Sequence, residues 1–345
     1  MSGGPILVWG AGAIGGSLGS AFIRAGEEVH FVDTAADHVE AINAKGLSIT
    51  GPVNPLHVDA RAFLPEAVEG TYERIILAVK SHNTASTLDG VARHLAPSGF
   101  VISAQNGLEE LRIAAAIGAA RTFGCFVNFG ADYIAPGVVL YGGRGAVVVG
   151  EIDGRETPRL DEVFILFKTF DERAIRTTNI WGYLWAKLAY GAMLFATALT
   201  NDSIADVLAT KRHRPMLVKL AHEIQTVAKA ENITLEAFNG FDPSAFALDA
   251  PYERAERCFD DMVVHNRKSA KSHSGIWRDL AIRKRRTEVD AQLGPIMEFG
   301  RRHGIATPIV EGVVERIHDI EDGRRQLDLA WLDELDAIAE RGATA

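Results

Sequence analysis

The sequence predicts an α/β protein with an N-terminal doubly wound sheet and an all-helical C-terminal domain. Up to about residue 178, short apolar runs alternate with helical segments, the pattern of parallel strands joined by helices that cover both faces of a sheet. From residue 179 onwards only helical patterns follow. We therefore expect two domains, residues 1–178 and residues 179–345.

The first thirty-three residues contain a strand, a glycine-rich turn, a helix and a second strand. Residues 5–9 are apolar enough for a buried strand, residues 10–15 (GAGAIG) form the turn, and a helix follows over residues 16–24. The second strand, residues 29–32, ends at Asp33, 18 residues after Gly15. This order is the fingerprint of a Rossmann-type unit that binds a dinucleotide.

Each residue of the turn has its own task in such a unit. Gly10 permits the tight turn, Gly12 lets the backbone approach a pyrophosphate, and Gly15 lets the helix pack closely on the strand. Ala13 and Ile14 lie at the helix N-terminus, where free N–H groups bind phosphates. We expect all five residues to contact the cofactor.

Asp33 indicates which dinucleotide binds. Its carboxylate can accept hydrogen bonds from the ribose hydroxyls of the adenosine. The next three residues, Thr34, Ala35 and Ala36, offer no cation to neutralise a 2′-phosphate. The sequence therefore favours NAD over NADP.

The later strands end at further candidate ligands. Continuous apolar runs at residues 74–79 and 100–103 predict buried parallel strands, which end at Lys80 and at Asn106. Ligands bind beyond the carboxyl ends of such strands, so both residues are candidates for the cofactor site. Two apolar segments, residues 138–141 and 146–149, are separated by the glycine-rich residues 142–145 and predict a hairpin at the sheet edge. The remaining elements of this half are helices at 34–44, 84–95, 108–117 and 158–170, and strands at 47–49, 56–58, 123–129 and 174–178.

The helical half contains one isolated charge in an apolar helix. Helices are predicted near residues 180–201, 211–231, 251–264, 288–303, 309–320 and 331–340. Lys187 is the only charged residue between Trp181 and Thr200. A ketone that accepts a hydride develops negative charge on its oxygen, and a lysine can stabilise that charge and donate a proton. The alternative is a lysine that reaches from the core to solvent or pairs with an acid.

The order of the two domains also predicts where the substrate binds. An α/β nucleotide domain followed by helices usually binds its substrate in the cleft between them.

Composition excludes several classes of function. A net charge of -9 and a pI near 5.7 argue against a nucleic-acid partner. Cys125 and Cys258 cannot form a disulfide framework or a zinc site, so no metal is expected. Neither a signal peptide nor a membrane span is predicted, and we expect a cytoplasmic protein, as a homodimer.

In combination, several segments resemble the ketopantoate reductase (2-dehydropantoate 2-reductase) family over nearly the whole chain. These are the glycine turn, Lys80, Asn106 with Gly107, and the segments at residues 185–188 (WAKL), 287–290 (TEVD) and 304–308 (GIATP). The resemblance implies that Lys187 is the general acid, that Asn106 and Lys80 lie near the nicotinamide and its ribose, and that Glu288 holds the substrate. It thereby places Asn106 and Glu288 with Lys187 in the catalytic site and Lys80 also beside the substrate. Without the resemblance, Glu288 is an acid in the first turn of a helix, with Thr287 as its N-cap.

The departures from the family concern the substrate. Family members usually have asparagines four and eight residues after the helix lysine, on the same helix face, where they bind the polar groups of the substrate. This chain has Gly191 and Phe195 at these positions, and we expect both to line the substrate site on the face of Lys187. In the serine-rich substrate loop, Ser274 is retained, Gly275 stands where a second serine would be, and Trp277 is a bulky addition. The resemblance thus implies an oxo or hydroxy acid other than ketopantoate, larger or less hydroxylated. Together with Asp33, this suggests a divergent NAD-linked dehydrogenase that works in the oxidative direction.

Two other interpretations stay open at this stage. A related opine or 3-hydroxy acid dehydrogenase would share the chemistry but not the substrate. An NAD-binding sensor without turnover would have no need of Lys187 and Glu288. The basic run at residues 283–286 is typical of a solvated face, although one of its arginines could meet a substrate carboxylate.

Overall fold

The computed structural model describes residues 4–238, 240–268 and 272–341. The chain divides into two compact units, one up to Ile180 and one from Trp181 onwards. Among the described helices, none is both long and apolar enough to cross a membrane.

The first unit is built from strands and helices in alternation. Its strands are β1 Ile6–Trp9, β2 Val29–Val32, β3 Leu47–Thr50, β4 Leu56–Val58, β5 Arg61–Phe63, β6 Tyr72–Leu77, β7 Leu95–Ser103, β8 Thr122–Val127, β9 Gly130–Ala135, β10 Val138–Gly143, β11 Val147–Glu151 and β12 Ile175–Arg176. Its helices are α1 Ala13–Arg24, α2 Ala36–Lys45, α3 Thr84–His94, α4 Glu109–Ile117 and α5 Pro158–Phe170.

The main sheet is doubly wound, as the sequence predicts. Its strand order is β12-β11-β8-β7-β6-β1-β2-β5, and β1 pairs in parallel with both β2 and β6. Alternate side chains enter two separate cores. Val8 and Phe31 pack with Phe22 of α1 and Phe167 of α5, whereas Trp9, on the other face, packs with side chains of α3 and α4.

The predicted hairpin of residues 138–149 is wrong. β10 pairs antiparallel with β9 and in parallel with β3, in a small sheet of order β4-β3-β10-β9 that contacts α1. β11 instead pairs antiparallel with β8 in the main sheet. The tight turn is at Pro136 and Gly137, where Gly137 has φ +72°. The glycine-rich segment after β10 runs between the two sheets, and the backbone of Asn128 leaves no room for a side chain at Gly145.

The second unit is helical. Its helices are α6 Ile180–Thr197, α7 Ile204–Ala209, α8 Arg214–Ala230, α9 Tyr252–Lys268, the single turn α10 Gly275–Trp277, α11 Val289–His303, α12 Pro308–Glu321 and α13 Ala330–Arg341. The sequence predicts the long helices to within a few residues but neither α7 nor α10. α11 ends at Gly304, which adopts the left-handed conformation (φ 66°) that closes helices.

Candidate functional site

The strand ends of the main sheet form one aligned edge. Trp9 at the end of β1 is opposite Val32 and Leu77, and Leu77 is opposite Ser103 of β7. The residues that follow these strands therefore start from the same edge, the one at which doubly wound sheets bind ligands. This register brings together the glycine turn, Asp33, Lys80 and Asn106, all in the first unit.

The three glycines of the turn have different surroundings. A Cβ on Gly10 would lie 2.8 Å from the backbone of Ala78, and Gly10 also has φ +104°. A Cβ on Gly15 would overlap the carbonyl oxygen of Gly10. A Cβ on Gly12 would meet nothing within 4 Å. Gly10 and Gly15 are thus needed for packing, whereas Gly12 borders open space at the N-terminus of α1, where a pyrophosphate fits.

The Asp33 carboxylate is held by two backbone amides. Ala11 N–H donates to Oδ2 at 2.9 Å, and Ala35 N–H donates to Oδ1 at 3.0 Å. The side chain is only partly buried, so each oxygen keeps lone-pair capacity for a further donor. The first turn of α1 carries no acid that would repel a phosphate. These features fit the ribose and pyrophosphate of a dinucleotide.

His38 supports the glycine turn, a role for which the sequence gives no signal. It is fully buried, its Nδ1 accepts from Gly137 N–H at 2.9 Å, and its Nε2 lies 3.0 Å from Ala11 O. Because Gly137 must donate to Nδ1, the ring proton is on Nε2 and points to Ala11 O. His38 therefore joins the small sheet to the turn.

Hydrogen bonds fasten the ends of β6 and β7 to each other. Ser81 Oγ donates to Asn106 O at 2.6 Å, and Gln105 Nε2 donates to Val79 O at 2.9 Å. Lys80 and Asn106 are both partly buried within this connection. The sequence identifies those two residues but not Ser81 or Gln105, which hold their backbones in place.

Lys187 lies on a partly exposed stripe of α6. Between Gly182 and Thr197, a stretch that is described throughout, partial exposure is confined to Tyr183, Lys187, Tyr190, Gly191 and Leu194. Their spacing follows one face of the helix. Tyr190 packs against two aromatic rings of the same unit, with centroid distances of 5.9 Å to Phe238 and 5.6 Å to Phe241.

The sequence places Gly191 and Phe195 on the face of Lys187, and the structure separates them. Gly191 is on the partly exposed stripe, but Phe195 is fully buried. The reason is helical geometry: eight residues rotate about 80° around the axis, which is enough to turn Phe195 into the core. The space beside Gly191 contains the side chain of Gln292, whose Oε1 lies 3.5 Å from where a Cβ would be.

The other predicted substrate residues occupy helix starts. Glu288 is the residue before the first turn of α11, and Thr287 Oγ1 accepts from Val289 N–H at 3.2 Å. Ser274 is the N-cap of α10, because its Oγ accepts from Trp277 N–H at 3.1 Å. Trp277 also lies over His273, with a centroid distance of 4.0 Å.

The basic run after α10 is engaged with acids of the same unit. Arg283 and Arg285 both pair with Asp279, at 3.0 and 2.9 Å. Arg286 pairs with Glu321 at 3.0 Å. These ion pairs agree better with a solvated face, the interpretation that the sequence favours, than with contact to a substrate carboxylate.

Two family models match the chain. The model described as "Ketopantoate reductase PanE/ApbA" matches residues 6–154, and its "C terminal" counterpart matches residues 179–321. Together they span most of the sequence. The chain belongs to the ketopantoate reductase family.

Curated and solved relatives agree with this assignment. A 2-dehydropantoate 2-reductase of Pyrococcus abyssi is 28% identical over 313 residues, which cover 88% of this chain and 93% of that protein. A ketopantoate reductase structure from Ralstonia eutropha is 25% identical, with a TM-score of 0.78 over 93% of this chain and 99% of that one. D-mandelate dehydrogenase, in a ternary structure with NADH and anilino(oxo)acetate, has a TM-score of 0.80 at 22% identity over 92% of this chain and 99% of that one.

As a member of the ketopantoate reductase family, the protein is an oxidoreductase that acts on CH–OH groups with a nicotinamide cofactor. Its small-molecule substrate is of the keto or hydroxy acid class. The α/β unit followed by a helical unit is the fold of the ketopantoate reductases.

Proposed function

We propose that this protein is an NAD(H)-dependent oxidoreductase that interconverts a 2-oxo acid and its hydroxy acid, with Lys187 as proton donor and acceptor. The proposal depends on the position of Lys187. It is the one charged residue of residues 182–197, all of them described, and it lies on the partly exposed stripe of α6. An ammonium group there can stabilise a carbonyl oxygen that gains negative charge and can donate the proton; the neutral amine can accept it in the reverse reaction.

The proposed cofactor site is the edge of the main sheet. Gly10, Gly12 and Gly15, with the amides of Ala13 and Ile14, would hold the pyrophosphate, and Asp33 would hold the adenosine ribose. Lys80 and Asn106 would hold the nicotinamide and its ribose, by family resemblance. The bound nicotinamide supplies or accepts the hydride.

Two features support NAD rather than NADP. The Asp33 carboxylate would repel a 2′-phosphate, and the adjacent residues Thr34, Ala35 and Ala36 offer no compensating cation. The D-mandelate dehydrogenase with the same fold is described with NADH. An NAD preference in turn favours the oxidative direction.

The proposed substrate has an apolar or aromatic side chain. Tyr190, on the stripe of Lys187, contacts Phe238 and Phe241, and Gly191 removes a polar side chain from this stripe. Glu288, Ser274 and Trp277 are proposed to contact the substrate by family resemblance. Anilino(oxo)acetate, named with D-mandelate dehydrogenase, is a 2-oxo acid of this kind.

Reduction of ketopantoate itself is the second candidate. The curated relatives named 2-dehydropantoate 2-reductase support it. The glycine at position 191 favours the first candidate, because α6 itself then has no hydrogen-bonding side chain at this position for the hydroxyl group of ketopantoate, and the neighbouring carboxamide belongs to Gln292 of α11.

A substrate panel would decide between the two. Initial rates would be measured with NADH and NADPH, for ketopantoate and for an aryl oxo acid such as phenylglyoxylate, and in reverse with the hydroxy acids. We expect kcat/KM to be about tenfold or more higher with NADH than with NADPH, and about tenfold or more higher with the aryl acid than with ketopantoate. A tenfold ratio corresponds to a free-energy difference of about 1.4 kcal/mol. Preference for ketopantoate with NADPH would establish the second candidate. Absence of turnover with every acid would overturn both.

A further inference from the structure

Helices α6 and α11 of the second unit contact each other at two points and run in opposite directions. Trp185 contacts Phe299, with ring centroids 5.6 Å apart. Six residues further along α6, Gly191 faces Gln292, which is seven residues earlier on α11. These two contacts define an antiparallel register. In this register Lys187 of α6 lies beside a part of α11 that is nearer to its C-terminus than Gln292 is.

Gln292 is on the face of α11 that meets α6. Glu288, Gln292, Pro295 and Phe299 are all partly exposed and follow a spacing of four, three and four residues, which is one helix face. Gln292 Oε1 lies 3.5 Å from the Cβ position of Gly191. Its side chain therefore occupies the place that a longer residue at position 191 would take.

The carboxamide of Gln292 has hydrogen-bonding capacity to spare. In the described part of the chain, its side-chain nitrogen and oxygen make no hydrogen bond, whereas its backbone N–H donates to Glu288 O at 2.9 Å. A partly buried amide is stabilised when it finds a partner, and a bound ligand can be that partner.

We propose that the Gln292 carboxamide binds the carboxylate of the oxo acid substrate; this inference rests on the proposed function above. Gly191 is one helical turn from Lys187, so their Cβ positions are about 5–6 Å apart. A 2-oxo acid has its carbonyl and its carboxylate on adjacent carbons. When Lys187 holds the carbonyl oxygen, the neighbouring carboxylate is within reach of the Gln292 N–H groups.

The charges along the two helices support this orientation. In this register the three side chains follow one another along the paired helices in the order Lys187, Gln292 and Glu288. They are a cation, a neutral amide and an anion. A substrate carboxylate beside Glu288 would be repelled, whereas one beside Gln292 meets a donor and stays near Lys187.

Two variants of Gln292 separate binding from packing. Gln292→Met keeps the size and loses the donor, and Gln292→Ala loses both. We expect each to raise the KM of the oxo acid by about 10- to 100-fold, the value of a hydrogen bond to a charged group, with a smaller change in kcat and none in the KM of NADH. Gln326→Met, at an exposed glutamine of the same unit, is the matched control and should keep wild-type kinetics.

A transfer variant provides the second test. The double variant Gly191→Asn, Gln292→Ala moves the amide group from α11 to α6. Gln292 is the neighbour found within 4 Å of the Gly191 Cβ position, so removal of its side chain makes room for the new asparagine. We expect the double variant to recover at least part of the lost affinity for the oxo acid. Thermal unfolding of every variant would show that each is folded.

The outcomes distinguish this inference from the proposed function. One outcome is that the wild type turns over the oxo acid and that Gln292→Met has a KM for this acid within about twofold of the wild-type value. This outcome would show that Gln292 has a packing role only. It would overturn the proposed role of Gln292 and leave the proposed function standing. A wild type that turns over none of the acids would overturn the function, and the inference with it. A loss confined to NADH binding would also contradict the inference.

Discussion

The backbone amide of Ala11 donates a hydrogen bond to Asp33 Oδ2 at 2.9 Å. This contact joins the glycine turn after β1 to the end of β2, 22 residues later. The carboxylate is therefore oriented before any cofactor binds. Preorganisation of this kind reduces the entropy that must be lost on binding.

Asp33→Ser should change the choice of cofactor. The serine retains one acceptor but loses the negative charge, so we expect NADH to bind about tenfold or more weakly and the NADH over NADPH preference to fall by a similar factor. Kinetics with both cofactors would measure it. Asp37→Ser, at an exposed acid in the first turn of α2, is the control for net charge and should leave the preference within about twofold. An unchanged preference in Asp33→Ser would remove Asp33 from cofactor selection.

Alanine at two glycines should have opposite effects. A Cβ at Gly12 meets open space, and the backbone there is extended (φ -69°, ψ -154°), so Gly12→Ala should lose much less stability than Gly15→Ala but bind NADH about tenfold or more weakly. A Cβ at Gly15 would overlap Gly10 O, so Gly15→Ala should destabilise the unit by about 1–3 kcal/mol or more. Calorimetry and NADH titration would measure both. Normal NADH affinity in Gly12→Ala would show that the pyrophosphate lies elsewhere.

The sequence predicts those parts of the fold that depend on local pattern. The glycine turn, β1, α1 and β2 follow from apolar runs and glycine positions, and family membership and fold class are confirmed. Lys80 and Asn106 are predictable because each comes three residues after the end of a buried strand, Leu77 of β6 and Ser103 of β7. Their roles, like those of Lys187 and Glu288, stay predictions.

Relationships between distant segments could not be predicted. β10 and β11 both look like sheet-edge strands, and nothing in their sequence states that they pair with β3 and β8 respectively. His38 depends on Gly137, 99 residues away. Gln292 is not among the site residues predicted from the sequence, although it is four residues after Glu288, a spacing that places both on one helix face. That spacing is the signal that could have found it.

Glu223 makes the stability of the helical unit depend on pH. Its carboxylate on α8 accepts from Ile309 N–H and Val310 N–H of α12, at 2.9 Å for the nearest oxygen in each case. Burial raises its pKa to about 7, against an ordinary value of 4.5. Because the folded pKa is raised, the contribution of Glu223 is fully present below pH 4.5 and is lost as the pH rises through 7.

Glu223→Gln should remove this dependence. The glutamine keeps an acceptor for the two amides and has no charge to bury. We expect the variant to be more stable than the wild type at about pH 8, by up to about 3 kcal/mol, with the difference vanishing at about pH 4. Scanning calorimetry across this range would measure it. Glu315→Gln, at an exposed acid of α12, should show no such trend, and a pH-independent difference in Glu223→Gln would contradict the titration of Glu223.

The most direct test of the proposed function is the rate of NADH oxidation by the wild type and by Lys187→Met, with an aryl 2-oxo acid as substrate. Methionine keeps much of the length of lysine and removes the proton donor. We predict that the wild type turns the acid over, and that Lys187→Met binds NADH equally well but has a kcat lower by about 100-fold or more. A kcat within about twofold of the wild type would remove Lys187 from the mechanism and contradict the account.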